Sequence, residues 1–127
     1  MARIAFIDDD QDLRQFVEFQ LSKHGHAVMC AGDSFEGIEL VEEHRPELII
    51  LDVMMPKLDG VEICKRFKAH DEIARIPVIF LTAKSGVCNR LRGIESGGEA
   101  YMTKPFDVAD LESLIESVLA RAEHRGA

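Results

Sequence analysis

The sequence predicts an α/β fold: a doubly wound (βα)5 chain built on one parallel five-stranded sheet of order 2-1-3-4-5. Three observations carry this. Five short apolar runs alternate with stretches of helical apolar spacing. The runs are nearly continuous rather than alternating, as strands are when helices cover both faces of a parallel sheet. Polar residues able to do chemistry stand just after the runs, where such a sheet gathers its ligand-binding groups.

The elements follow in order. The run 4–7 leads into Asp8, Asp9 and Asp10, then Leu13, Phe16, Val17 and Leu21 at helical spacing. Asp10 stands where an acid caps a helix and favours its N-terminus. After the second run, 27–31, Asp33 and Glu36 have capping-box spacing ahead of Ile38 and Val41. The third run, 48–51, ends at Asp52 and the turn-rich MMPKLDG, and Asp59 with Glu62 repeats the capping spacing before Val61, Cys64 and Phe67. Pro77 suits the first position of a strand, and the fourth run, 78–81, ends at Thr82. Val87, Leu91 and Ile94 predict a fourth helix. A weak fifth run, 100–102, leads to Lys104 and Pro105. Leu111, Leu114, Ile115, Val118 and Leu119 make the clearest amphipathic helix of the set.

Composition bounds the function. At 127 residues the chain reads as one domain, 1–127, with no linker, repeat or low-complexity segment and a frayed tail AEHRGA. A net charge of -8 argues against nucleic acid or an anionic membrane as a direct partner. No apolar run approaches the length of a membrane span, and the start MARIAFIDDD lacks the apolar region of a signal peptide. Cys30, Cys64 and Cys88 are scattered, with no CxxC, and read as reduced packing thiols of a cytoplasmic protein. His24, His26, His44, His70 and His124 share no ligand spacing and read as surface or packing residues.

In the 2-1-3-4-5 order the strand sequence reverses between strands one and three, and the crevice beyond their carboxyl ends is the expected site. Asp8 and Asp9 follow strand one, Asp52 follows strand three, and Thr82 and Lys104 reach the same rim. Taken singly, each has a plainer reading: a solvated turn, a cap, a strand-end threonine, a surface lysine. A calcium loop is excluded, because after Asp8, Asp10 and Asp12 the sixth position is Leu13 and the twelfth Phe19. No Walker A or GxGxxG motif is present.

On the acidic pair Asp8-Asp9, LIILDVMMPKLDG around Asp52, FLTA ending in Thr82-Ala83, and YMTKPF with Lys104-Pro105, the chain resembles the receiver domain of two-component response regulators. The likeness spans essentially the whole length and implies a flavodoxin-like fold. It also implies Asp52 as phosphoacceptor, with Thr82 and Lys104 contacting the phosphoryl oxygens. Mg²⁺ would be held directly by Asp9 and Asp52, through water by Asp8, and by the Met54 carbonyl. The implied partners are a sensor histidine kinase or phosphotransfer protein as donor and an output domain or separate protein downstream. The receiver would catalyse only its own phosphorylation and dephosphorylation. Thr82 and Tyr101 would form a switch read on the face of the fourth helix, fifth strand and fifth helix. The Lys104–Pro105 bond would be cis. A phosphorylation-dependent homodimer is also implied, though Gly98 and Ala100 depart from the charged pattern that supports it. Met54 and Lys84 flank the line of water attack; neither is a general base, so a phospho-state lasting minutes or longer is expected. The enzyme alternative is a haloacid-dehalogenase-like phosphatase with Asp8 as nucleophile and Asp10 as acid, but Asp12 breaks that motif. A flavodoxin would need a Thr/Ser/Gly phosphate loop where these acids stand.

Overall fold

A computed structural model of the chain describes residues 2–83 and 97–126. The strands are β1 (Arg3–Ile7), β2 (Ala27–Ala31), β3 (Leu48–Asp52), β4 (Val78–Ala83) and β5 (Ala100–Lys104). They pair in parallel, in the order β2-β1-β3-β4-β5. The helices among the described residues are α1 (Gln11–Lys23), α2 (Ser34–His44), α3 (Gly60–Lys68) and the C-terminal α4 (Val108–Gly126). The expected helix at Val87, Leu91 and Ile94 lies outside the described residues, as do Lys84 and Cys88.

Side-chain alternation along the strands divides the core in two. Ile4, Phe6, Ile50, Ile79 and Leu81 point to one face and pack with Val17 and Leu21 of α1 and Leu111, Ile115 and Val118 of α4. Ala5, Ile7, Ile49, Leu51 and Phe80 point to the other and pack with Val41 of α2 and Val61, Cys64 and Phe67 of α3. Continuous apolar strands are therefore what each face requires. At full burial a Leu, Ile or Phe contributes about 1.5–3 kcal/mol, so this two-sided core is the main stabilising element.

Three of the βα joins use one device. Asp10, Asp33 and Asp59 stand at N-caps, and each side chain accepts from the backbone N–H three residues on: Leu13 at 3.1 Å, Glu36 at 2.9 Å and Glu62 at 2.9 Å. The reciprocal half of the box at Glu36 is displaced by one residue, for its carboxylate accepts from Gly32 N–H at 2.9 Å. β3, β4 and β5 also run further than their apolar letters, because the parallel ladder continues: Asp52 pairs with Leu81 and Ala83 with Lys104. The 3₁₀ turn Ile73–Arg75 is too short to show a periodicity, and it seats Ile73 in the core. His26 proves to be a packing residue. Its Nδ1 accepts from Ala2 N–H at 3.0 Å, which leaves the ring proton on Nε2 to be donated to Glu112 Oε1 at 2.7 Å. Burial and the Glu18 charge push the Cys30 thiol up to about 11, so it stays protonated and unreactive. No helix among the described residues is long and apolar enough to cross a membrane.

Candidate functional site

The site lies where β1 and β3, neighbours at the centre of the sheet, reach their carboxyl ends. Asp8 follows β1 directly and is held there by its N–H to Ala31 of β2 at 3.1 Å. It is 0% exposed, and both of its oxygens are engaged. Oδ1 accepts from Asp10 N–H at 2.9 Å and Oδ2 from Lys104 Nζ at 2.7 Å. Asp9 turns outward, and Asp10 serves α1 as its cap. The three adjacent acids thus take three separate jobs, decided by the turn from strand to helix.

Asp52 is the last residue of β3 and only 3% exposed. Its Oδ1 accepts from Met54 N–H at 3.2 Å, and Lys104 Nζ lies 3.5 Å from Oδ2. One ammonium therefore bridges two buried carboxylates. Carboxylate oxygens of Asp8, Asp9 and Asp52 lie within 4.8 Å of one another. Burial first, then the Asp8 charge, pushes the Asp52 pKa up to about 6 against the opposing pull of Lys104. Burial works against the Lys104 ammonium too, but the Asp8 hydrogen bond and the two carboxylate charges outweigh it and hold its pKa above the ordinary lysine value.

Thr82 lies in β4, one residue beyond the partner of Asp52, at 2% exposure. Its hydroxyl has no hydrogen-bond partner among the described residues. A buried hydroxyl without a partner carries a desolvation cost of about 1–3 kcal/mol. Tyr101, across the β4–β5 ladder, packs its ring on Phe80 with centroids 5.6 Å apart at 34° and is half-buried. The Lys104–Pro105 peptide is cis. Met54 is 60% exposed, whereas Lys84 falls outside the described residues.

Two residues near the site make contacts that the sequence did not signal. Arg14 of α1 reaches back, its Nη1 donating to the Asp8 carbonyl at 2.8 Å. Gly60 lies against β3: a Cβ there would sit 2.2 Å from the backbone oxygen of Asp52. The DG pair at 59–60 was legible as a turn, but the contact that demands glycine was not.

The response regulator receiver domain family model matches residues 4–116. The chain belongs to that family. Receiver domains are signalling modules rather than ordinary enzymes, and the acidic group here is consistent with a phosphoacceptor site. This receiver domain is 37% identical over 123 residues to the DNA-binding dual master transcriptional regulator RpaA of Synechocystis sp., covering 97% of this chain and 51% of that protein. The chain thus spans about half the length of the curated relatives it matches. Among solved structures it resembles a CheY-like response regulator receiver domain protein from Methanospirillum hungatei JF-1, at TM-score 0.91 and 26% identity over 98% of both chains. It also resembles the Francisella response regulator 1452 receiver domain, at TM-score 0.87 and 29% identity over 95% of this chain and 98% of that one.

Proposed function

We propose that this receiver domain accepts a phosphoryl group on Asp52 from the phosphohistidine of a sensor histidine kinase or phosphotransfer protein. The observation that carries the reading is the single ammonium of Lys104 set between Asp8 at 2.7 Å and Asp52 at 3.5 Å, with Asp9 beside them. In the transfer, an Asp52 oxygen bonds to phosphorus as the phosphorus–nitrogen bond to the donor imidazole breaks, leaving a neutral imidazole once that nitrogen is protonated. Lys104 pairs with the phosphoryl oxygens as a point charge, and the Thr82 hydroxyl, without a partner among the described residues, donates to another. An apolar cleft of Leu13, Phe16, Pro105 and Phe106 opens beside Lys104, which suits a protein donor.

The donor set fits magnesium. Among the described residues, three carboxylates and one ammonium leave a charge of about -2 among hard oxygen ligands, which suits a small divalent cation. Asp9 and Asp52 are the direct ligands of this reading, with the Met54 carbonyl. Asp8, whose oxygens already hold Asp10 N–H and Lys104, contributes through water. When bound, Mg²⁺ would neutralise phosphoryl oxygens and hold them in line for attack.

Residues 1–127 are the receiver unit of this reading. Downstream lies an output domain or separate partner protein, reached through the face of the helix expected at Val87, Leu91 and Ile94, β5 and α4. A phosphorylation-dependent homodimer through that face and a cytoplasmic setting belong to the same proposal, with no direct nucleic-acid or membrane contact by this acidic domain. The phospho-state lasts minutes or longer, since neither Met54 nor Lys84 offers a base to activate water; a Met54→Asn/Lys84→Glu double mutant should release phosphate faster. The deciding experiment is incubation with acetyl phosphate and Mg²⁺. Wild type should be labelled on Asp52 and Asp52→Asn should not, whereas label on Asp8 with multiple turnover would favour the phosphatase reading.

A further inference from the structure

The segment 53–59 joins the acceptor strand to α3, and it is held at two levels. Val53 and Met55 are anchored in the core, whereas Pro56 and Lys57 are exposed and Leu58 is half-buried. That second half is gripped from α2 by three consecutive residues, Asp33, Ser34 and Phe35. The Ser34 hydroxyl donates to the Leu58 carbonyl, with the Pro56 carbonyl 3.1 Å away as an alternative acceptor, and takes the Leu58 N–H at 3.3 Å. Asp33 Oδ2 lies 3.6 Å from Lys57 Nζ, and that ammonium stands 5.5 Å from the centroid of the Phe35 ring.

Ser34 opens α2 but does not cap it, since Asp33 does. Among the described residues its hydroxyl partners all lie on the distant segment, and Ser34 itself is wholly buried. Lys57 is held at φ 74°, a left-handed conformation that a lysine adopts only where its surroundings impose it. At the other end of the same segment the Met54 N–H sits on the Asp52 carboxylate and Gly60 N–H closes onto the Val53 carbonyl at 2.8 Å.

We propose that Ser34, supported by Asp33 and Phe35, is a positioning residue for the Asp52 site. By fixing Pro56, Lys57 and Leu58 it sets the path of the whole segment and keeps the Met54 amide on the Asp52 carboxylate. The proposal rests on the reading of Asp52 as phosphoacceptor. It makes the start of α2, which touches no reacting group, a determinant of acceptor geometry.

The test compares wild type with Ser34→Ala by residue-resolved amide hydrogen exchange and by the rate of Asp52 labelling from acetyl phosphate at saturating Mg²⁺. The Met54 and Leu58 amides should exchange about tenfold faster, the scale of one buried hydrogen bond lost, while Ile49 and Ile50 of β3 keep their protection. Labelling should slow by a similar factor. A merely structural serine would lower every amide together. Lys57→Gly relieves the left-handed backbone while removing both the ion pair and the ring contact. It should show the same pattern at smaller amplitude, so a Ser34→Ala chain that fails to fold leaves the question decided. Faster exchange at Leu58 alone, with the Met54 amide and the labelling rate unchanged, overturns the proposal. If wild-type Asp52 takes no label, the phosphoacceptor reading fails, and the exchange of Met54 still decides the clasp.

Discussion

At Asp52 the demands of folding and of chemistry oppose each other. Burial and the neighbouring Asp8 raise its pKa from 3.8 to about 6, so in that window the folded chain holds a proton that the unfolded chain has lost. Stability contributed by this group is therefore present at low pH and declines as pH rises through the window. Above it, the ionised carboxylate is a standing cost of folding. In metal-free buffer Asp52→Asn should be more stable than wild type at pH 7, by roughly 3 kcal/mol since the Lys104 attraction is already part of the raised pKa, with the gain vanishing below pH 4. Thermal melts at the two pH values check this; equal stability at pH 7 would mean that Lys104 fully compensates the buried charge. The adjacent acids separate in the same way. Asp9→Ala should weaken Mg²⁺ binding severely, whereas Asp10→Ala should leave it intact and cost about 1 kcal/mol of helix capping. Calorimetric titration that finds the two variants binding alike would reverse the assignment within the DDD run.

Between elements, glycine sets how closely backbone and sheet approach. Gly60 lies against the carbonyl of Asp52, where a Cβ would stand 2.2 Å from backbone oxygen, and nothing there can yield without moving the end of β3. Gly37 brings α2 onto β1, where a Cβ would stand 2.8 Å from an Ile7 methyl, a side-chain atom with some freedom to turn. Gly60→Ala should therefore destabilise by about 3 kcal/mol or more and impair Asp52 labelling, while Gly37→Ala should cost about 1–2 kcal/mol and leave labelling in the folded fraction near normal. Denaturant melts paired with labelling decide it. Equal losses in both would mean that Gly60 acts on packing alone.

Across the whole molecule, the Thr82 hydroxyl, which has no hydrogen-bond partner among the described residues, and the half-buried Tyr101 stand two positions apart on the β4–β5 ladder, Thr82 opposite Thr103 and Tyr101 opposite Phe80. On the proposed reading a phosphoryl oxygen would offer the Thr82 hydroxyl a hydrogen-bond partner, and its inward turn would open space for Tyr101. Phosphorylation would then shift a population between two packings of the rim, in proportion to the oxygen's differential affinity for them. Beryllofluoride with Mg²⁺, a phosphoryl mimic, should bury Tyr101, seen as a changed ring environment in NMR spectra. Thr82→Ala should abolish that change while still permitting Asp52 labelling. A Tyr101 signal indifferent to beryllofluoride would sink the switch.

The strand order, the two-sided core and the carboxylate–lysine cluster were legible in the sequence because each rests on local spacing combined with one topological rule. Apolar runs report burial on both faces, and a parallel sheet places every residue that follows a strand on the same rim. What spacing along the chain does not encode is the identity of distant partners. Glu112, 86 residues from His26, gives that ring its role. Ser34 is unmarked in the sequence beside the capping Asp33, and its partners appear only when α2 is laid against the segment 56–58. Asp8, Asp9 and Asp10 are three identical letters, and only the turn after β1 sends one inward to Lys104, one to the rim and one to the helix. Periodicity is a property of one element, whereas the pairing of buried polar groups is settled by whichever elements the fold brings together, since each must find its partner there or carry the cost of desolvation.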